Sequence, residues 1–287
     1  MSKNNKRRIF AAVISAVSIS VCFGCGRAVQ RLEEIRDRVV QRQSRAGAES
    51  LRTNLALGNP SNATDDPADR TNYLLARDSS VISYNDDRGT ANWAAWKISA
   101  EDLGDSLPRP DFRPDPELPL RFHPIVAADY SGSGFDRGHL VASADRFGNP
   151  AENEKTFYMT NIVPQTKELN QFPWQKLESY TRTLVRKGYD VYVIAGVWGD
   201  KGKIKKRVTI PAGCWKILYA VPRGSDPAAA SHSAKVVAVE MPNEKGIRQD
   251  RWIKFKSTVR SIEQKTGYDF LSALPAGEQE RLETRSE

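Results

Sequence analysis

Seven short runs with the composition of β-strands lie between residues 73 and 241, and their spacing constrains the fold more than any other feature. Each run has four to eight residues that are mainly apolar, β-branched or aromatic. The runs are Tyr73–Ala76, Val81–Tyr84, Trp93–Ile98, Asp190–Val197, Arg207–Ile210, Cys214–Val221 and Lys235–Met241. Several of them follow one another at hairpin-like distances, and only a few helices accompany them. This pattern predicts the α+β class.

Two helices are expected among these runs. The first follows Pro173, continues to about Lys187 and ends at Gly188, because proline suits the first helical position and glycine the end. Its apolar face consists of Trp174, Leu177, Tyr180 and Leu184. The second covers about Asp250–Thr266 and ends at Gly267. Residues 104–124 are rich in proline and are therefore expected to be extended.

The first 25 residues resemble an export signal. A basic head with Arg7 and Arg8 precedes the apolar run Ile9–Gly24, which is too short for a comfortable bilayer span. We therefore expect export to the periplasm or the medium, with membrane contact only through this segment. A cleaved signal peptide and an uncleaved anchor both fit this layout, and Cys25 is a candidate for lipidation.

The rest of the chain is expected to form one folded domain. Residues 26–70 combine a charged amphipathic stretch with a Ser-, Asn- and Gly-rich linker, and residues 71–275 hold the domain. Residues 276–287 are expected to be a frayed polar tail. The formal charge of the whole chain is +8, but the chain after residue 25 carries only +4, so the charge permits a polyanionic substrate without demanding one.

The densest group of chemically able residues is Asp136-Arg137-Gly138-His139. His139 is one of three histidines in the chain, and a neutral imidazole can take a proton from an attacking water. Arg137 can hold two phosphate oxygens and cannot lose its charge, although a surface ion pair would also explain it. By strand alternation Asp136 points away from Arg137, so it is expected to orient its neighbours.

Amide and carboxyl side chains follow about thirty residues later. Asn170 can give a neutral oxygen to Mg²⁺, which keeps most of its waters and needs few protein ligands. Glu178 is eight residues further along and can hold a water of that metal. Asn161 can form hydrogen bonds beside the base or the metal. The structural alternatives are a helix cap for Asn170, a solvated helix face for Glu178 and a turn for Asn161.

The order and spacing of these residues resemble a known family. Asp136–His139, Asn161-x-x-x-Gln165 and Asn170-x-x-x-Trp174-x-x-Leu177-Glu178 are similar to the motifs of the non-specific DNA/RNA endonucleases, which belong to the ββα-metal (His-Me finger) nucleases. The resemblance covers about Asn72 to Leu274. It implies a central, mainly antiparallel sheet with helices packed on it.

The resemblance also implies roles for the residues. His139 would be the general base, Arg137 a phosphate contact, and Asn170 the only direct protein ligand to Mg²⁺, with Mn²⁺ as a substitute. Glu178 and Asn161 would support the reaction, and Gln165 falls among the matched residues as a substrate contact. A further phosphate-binding arginine is Arg109 or Arg113.

These roles imply an exported endonuclease that cleaves DNA and RNA through backbone contacts and leaves 5′-phosphates. A catalytically weak nucleic-acid-binding protein on the same fold is the alternative. The basic stretch Lys201–Arg207 could grip the nucleic-acid backbone or form a solvated hairpin. The sequence leaves the oligomeric state undetermined.

Overall fold

A seven-stranded antiparallel sheet forms the centre of the protein in a computed structural model that describes residues 47–285. Its strands are β1 (Tyr73–Arg77), β2 (Ser80–Asn85), β3 (Thr90–Ile98), β6 (Tyr189–Trp198), β9 (Gly213–Pro222), β10 (Lys235–Pro242) and β11 (Lys256–Ser257). They lie side by side in the order β1-β2-β3-β6-β9-β10-β11. Every neighbouring pair is antiparallel. The predicted α+β class with a mainly antiparallel sheet is confirmed.

Two small two-stranded sheets stand beside the large one. The first pairs β4 (Asp136–His139) with β5 (Ile162–Gln165), and the second pairs β7 (Lys203–Ile204) with β8 (Val208–Thr209). The β4–β5 pair carries the motif that ends at His139. The helical segment that contains Asn170 and Glu178 follows β5 directly, so a β-β-helix unit presents these residues on one side of the large sheet.

Helices cover both faces of the large sheet. They are α1 (residues 47–54), α2 (Pro150–Lys155), α3 (Gln175–Arg186), α4 (Val259–Thr266) and α5 (Ala276–Glu283). Leu177 and Val185 of α3 belong to the core on one face, whereas Val259 of α4 and Leu282 of α5 belong to the core on the other. The alternation of side chains along each strand supplies both cores, as expected for a sheet buried on its two sides.

The domain begins earlier and ends later than the sequence predicts. Residues 47–54, expected in the linker, are helical, and Leu57 and Ala63 are buried against the second face of the sheet. The expected frayed tail is wrong as well, because α5 buries Leu282 completely. Both segments were misjudged because a few apolar residues in a polar background are enough to dock a short helix on an existing core.

The expected helix over Asp250–Thr266 is also wrong in its first half. Trp252–Phe255 is a single 3₁₀ turn, and β11 then pairs with β10 before α4 begins at Val259. Thr258 caps α4, since its side chain accepts a hydrogen bond from the Ser261 amide at 3.0 Å. The predicted end is confirmed, because Gly267 adopts the left-handed conformation that closes the helix.

The expected signal segment 1–25, Cys25 and the amphipathic stretch 27–45 lie outside the described residues. Within residues 47–285, no helix combines the length and apolar character needed to cross a bilayer.

Candidate active site

A cleft of about 900 Å³ contains most of the predicted site residues. Four segments form its walls: the extended stretch with Arg109 and Phe112, strand β4, the turn around residues 142–147, and the helical segment with Asn170 and Glu178. His139 and Arg137 both line it. The chain therefore brings together residues that are up to about seventy positions apart in the sequence.

His139 ends β4, where it pairs with Ile162 of β5. Its backbone carbonyl accepts a hydrogen bond from Trp174 Nε1 at 3.2 Å, which ties the strand to the helical segment. Its Nε2 atom is buried and has no hydrogen-bond partner in the protein. Burial, and then the positive charge of Arg109, lower the pKa of His139 to about 3, so the imidazole is neutral at pH 7 and can accept a proton.

Two aromatic rings hold the histidine and two arginines in one cluster. The His139 ring packs 5.5 Å from Phe112 and 4.9 Å from Phe157, measured between centroids. The guanidinium carbon of Arg109 lies 5.3 Å from the Phe112 ring centre, and that of Arg137 lies 5.4 Å from it. Both cations therefore share one ring beside the imidazole, which favours the binding of an anion between them.

Arg137 is held by a neighbouring turn as well. Its NH2 donates to the carbonyl of Ala127 at 2.8 Å. This contact uses one of the five guanidinium donors, so most of the fork remains for a phosphate. The alternative interpretation, a surface ion pair of Arg137, finds no support among the contacts of the described residues, where Asp145 pairs with Arg182.

Asn170 lies inside a helix, not before it. Residues 167–186 are helical throughout: Lys167–Leu169 is α-helical, Asn170–Trp174 is a π turn, and α3 follows. Thr166 begins the segment, because its side chain accepts a hydrogen bond from the Leu169 amide at 3.2 Å. The predicted helix after Pro173 is confirmed as α3, but helical backbone already begins at Lys167, because the wide π turn tolerates a residue without an N–H.

The π turn sets the mutual orientation of Asn170 and Glu178. In an uninterrupted α-helix, two residues eight positions apart differ by about 80° in their direction around the helix axis. The π turn contains about one extra residue, so Asn170 and Glu178 differ in direction as residues seven positions apart would, by about 20°. The two side chains therefore share one face of the helical segment, and both line the cleft.

Asp136 fixes the amide of Asn170. Asn170 Nδ2 donates to Asp136 Oδ2 at 2.9 Å, and Gln171 Nε2 donates to the same oxygen at 2.8 Å. The expectation that Asp136 orients its neighbours is thus confirmed. With Nδ2 committed to Asp136, Oδ1 is the amide atom of Asn170 that can coordinate a cation.

The donor set fits a hard divalent cation. Asn170 offers a neutral oxygen and Glu178 a carboxylate, which are the ligand types that Mg²⁺ and Mn²⁺ accept. Among residues 47–285, only Glu263, Asp269 and Glu283 bring three metal-binding His, Cys, Asp or Glu side chains together, and none of these lines the cleft. A metal in the cleft would therefore rely on few protein ligands and keep most of its waters.

Glu178 is a largely buried carboxyl group at the floor of the cleft. Its side chain is 14% exposed, and burial raises its pKa, although the nearby cations partly oppose this effect. The structure therefore rejects the interpretation of Glu178 as part of a solvated helix face.

Two residues predicted at the site, Asn161 and Gln165, do not line the cleft. Asn161 is buried, and its side chain bonds only to backbone: it accepts from the Val141 amide at 2.9 Å and donates to two carbonyls. It therefore fixes the segment after His139 and does not face the cleft, which agrees with its turn interpretation. Gln165 is fully buried and donates to Cys214 Sγ at 3.3 Å, so it cannot contact a substrate.

The two upstream arginines lie in different places. Arg109 lines the cleft, whereas Arg113 pairs with Glu154 at 2.9 Å outside it. Phe112 and Phe157, which place Arg109, were missed by the sequence analysis. Phe112 lies within the Arg109–Arg113 stretch, but only the tertiary structure shows that its ring packs against His139.

The basic stretch Lys201–Arg207 contains the turn between β7 and β8, and it has a structural use. Lys205 Nζ donates to the Ala128 carbonyl at 2.7 Å, and Arg207 NH2 donates to the Pro124 carbonyl at 3.0 Å. These bonds hold the loop before β4, including the turn that supports Arg137. Of the two interpretations of this stretch, neither a contact with the nucleic-acid backbone nor a solvated hairpin accounts for these hydrogen bonds.

The sequence matches a family profile over most of the described domain. The profile of the DNA/RNA non-specific endonucleases matches residues 57–277. A nuclease of Nostoc sp. (strain PCC 7120) is 40% identical over 238 residues, which are 82% of this chain and 86% of the relative. Nuclease C1 of Cunninghamella echinulata var. echinulata is 32% identical over 237 residues, 77% of this chain and 88% of the relative.

Further similarities are partial in sequence or concern the fold alone. Human mitochondrial endonuclease G is 41% identical over 125 residues, 43% of this chain and 42% of that protein. A chain in the crystal structure of the EndoG/EndoGI complex superposes with a TM-score of 0.65 at 21% identity, covering 78% of this chain and 92% of that chain. The structural similarity supports the fold predicted from the motifs.

Proposed function

The chain belongs to the DNA/RNA non-specific endonuclease family and is a nuclease, and from this premise we propose a fuller function. We propose that it is an exported, Mg²⁺-dependent endonuclease that cleaves DNA and RNA without sequence preference and leaves 5′-phosphates. One observation carries the proposal: the His139 imidazole and the guanidinium groups of Arg109 and Arg137 pack on the same Phe112 ring in a single cleft.

The two arginines and the histidine supply complementary parts of the reaction. Arg109 and Arg137 bind the scissile phosphate, and their charges neutralise it as negative charge builds up. The neutral His139 imidazole takes a proton from the water that attacks phosphorus. Its low pKa keeps the imidazole neutral before substrate binds, so the base is ready in the free enzyme.

Asn170 and Glu178 would hold the metal site. Asp136 turns Oδ1 of Asn170 toward the coordinating role, and Glu178 accepts hydrogen bonds from water on the same helical face. When bound, Mg²⁺ stabilises charge on the scissile phosphate and on the leaving 3′-oxygen. Arg109 and Arg137 would contact the phosphate backbone, and phosphate contacts position a nucleic acid without reading its sequence. Cleavage without sequence preference follows from such contacts.

Plasmid nicking with Mg²⁺ or with EDTA tests the activity. His139→Ala should lower the rate by about 10²–10⁴-fold, the usual effect of losing a general base, while DNA binding persists. Asn170→Ala should abolish activity, and Glu178→Ala should be milder. The matched control is His232→Ala, because His232 is exposed and does not line the cleft.

Two outcomes would contradict the assignment. Near-wild-type nicking by His139→Ala would exclude it as the base, and an unchanged metal requirement in Asn170→Ala would exclude it as the ligand. If the wild-type protein binds DNA but does not nick it, the catalytically weak nucleic-acid-binding protein is the better description. Incubation with DNA and RNA oligonucleotides of mixed sequence gives the substrate range.

The chemistry of the products has a separate test. Polynucleotide kinase labels a 5′-hydroxyl but not a 5′-phosphate. We therefore expect the product ends to accept label only after phosphatase treatment. Direct labelling of untreated products would contradict cleavage that leaves the phosphate on the 5′ side.

Export is supported by the N-terminal sequence alone. The basic head with Arg7 and Arg8, followed by Ile9–Gly24, has the layout of a signal segment, and Cys25 offers a site for lipid attachment. Cell fractionation and mass analysis of the N-terminus should find the protein outside the cytoplasm. Recovery of a cytosolic chain that begins at Ser2 would contradict export, and a free amine after Cys25 would contradict the lipid anchor.

A further inference from the structure

Lys216 is a charged residue in the middle of an otherwise apolar strand. It lies on β9, between Ala195 of β6 and Val239 of β10 in the large sheet. Its neighbours on the same face, Cys214 and Leu218, belong to the hydrophobic core beneath α3. The Lys216 side chain is only 1% exposed. A lysine at such a position pays a large desolvation penalty that leucine or methionine would avoid.

The ammonium group of Lys216 is enclosed by aromatic rings and one carboxylate. Nζ lies 4.2 Å from the ring centre of Trp174 and 5.5 Å from that of Trp96. It also lies 3.8 Å from Glu178 Oε1. These contacts place the cation directly beneath the cleft, between the central sheet and the helical segment.

Both partners of Lys216 in the helical segment belong to the proposed site. Trp174 donates to the backbone carbonyl of His139, and Glu178 lines the cleft. The charges around Glu178 also balance. Asp145 accepts from Arg182 at 2.9 Å and from Trp96 Nε1 at 3.2 Å. The carboxylates of Glu178 and Asp145 are thus balanced by the cations of Lys216 and Arg182. Lys216 belongs to the central sheet.

We propose that Lys216 is a positioning residue of the nuclease, which holds the Glu178 carboxylate and the Trp174 indole in their catalytic arrangement from beneath the cleft. The proposal rests on the function proposed above, because it acts through Glu178. It assigns a functional role to a buried residue that has no direct access to the substrate.

The physical reason is electrostatic. The groups that face Glu178 are Lys216 from β9, Arg182 from α3, Asp145 from the turn before α2, and Trp174. Lys216 Nζ attracts Glu178 Oε1 from 3.8 Å, whereas Asp145 repels the same carboxylate. Without Lys216 this attraction is lost and the repulsion remains, so the carboxylate is no longer held in its place in the cleft.

A double-mutant cycle tests this role in the full-length protein. We would measure kcat and KM for DNA cleavage at saturating Mg²⁺ and neutral pH in the wild type, Lys216→Met, Glu178→Gln and the double variant. Methionine keeps an unbranched side chain between the two indoles and removes the charge. Lys97→Met is the matched control, because Lys97 pairs with Asp190 at 2.9 Å on the sheet but does not line the cleft.

We expect Lys216→Met to lower kcat about tenfold, the scale of coupling between contacting residues, with KM nearly unchanged. The double variant should match Glu178→Gln within about twofold, since Lys216 then has no carboxylate left to position. Lys97→Met should leave kcat and KM nearly unchanged.

The outcomes separate the positioning role from the function on which it rests. If the wild type does not cleave DNA, the proposed function fails, and this role fails with it. If the wild type cleaves and Lys216→Met keeps the wild-type kcat, only the role of Lys216 is overturned. If Lys216→Met does not fold, the double variant, which lacks the unpaired carboxylate, is compared with Glu178→Gln. A large further loss of kcat there overturns the positioning role.

Discussion

Replacement of Gly138 by alanine should displace the catalytic strand, and the size of the effect follows from one buried contact. A Cβ atom on Gly138 would lie 2.1 Å from Gln165 Oε1, 2.4 Å from its Cδ and 2.7 Å from its Cγ. Real Cβ atoms do not approach other heavy atoms so closely. Gln165 is fully buried and its Nε2 bonds to Cys214 Sγ, so the side chain cannot swing into solvent.

Overpacking of this kind costs about 1–3 kcal/mol of folding free energy. For a domain of this size, we expect Gly138→Ala to lower Tm by roughly 2–12 °C, since each kcal/mol shifts Tm by about 2–4 °C. Activity should fall more steeply. Gly138 lies between Arg137 and His139, and a displacement of about 1 Å at reacting groups can reduce the rate about 10²-fold.

The decisive measurement is the recovery in Gly138→Ala/Gln165→Ala. Truncation of Gln165 removes all three colliding atoms, so the double variant should be more stable than Gly138→Ala alone, although Gln165→Ala by itself destabilises a fully buried site. Circular dichroism melting and plasmid nicking would follow all four proteins. A double variant no more stable than Gly138→Ala, or a wild-type Tm in Gly138→Ala, would refute the steric argument.

Two further predictions concern the metal and the base. Asp136→Ala frees the amide of Asn170 to rotate, so the Mg²⁺ concentration for half-maximal nicking should rise about 10–100-fold, the usual scale for losing a residue that orients a metal ligand. Asp136→Asn keeps an acceptor oxygen and should change this Mg²⁺ concentration much less. Equal increases in the two variants would contradict the orienting role of Asp136. Because burial and Arg109 lower the pKa of His139 to about 3, kcat/KM should not fall around pH 6.5 as His139 gains a proton. An acid limb centred there that persists in Glu178→Gln would show that His139 titrates normally.

The strands were predictable because their side chains alternate between two buried faces. All seven expected runs overlap strands of the structure, including β9 with its run from Cys214 to Val221. This regularity is local, so it is visible in the sequence. The position of His139 at the end of β4 was also predictable, because an apolar run directly follows the compact polar motif.

The failures have a common cause, which is that tertiary contacts decided the outcome. Pro173 indicates a helix start by local preference, yet the π turn lets the helix begin at Lys167. Nothing local distinguishes Arg109 from Arg113; the packing of Phe112 and Phe157 beside His139 makes the choice. Gln165 matched a motif but points into the core.

The attachment of the β-β-helix unit determines when a growing chain can become active. Residues 136–178 contain the motif histidine, the amide proposed to bind the metal and the carboxylate, but their supports come later in the sequence. Asn243 donates to the Pro164 carbonyl at 2.9 Å and accepts from the Thr166 amide at 2.7 Å, and Lys216 lies beneath Glu178. A nascent chain that stops before Asn243 lacks these supports. The cleft therefore cannot be completed until Asn243 has left the ribosome, well after the motif residues have been synthesised.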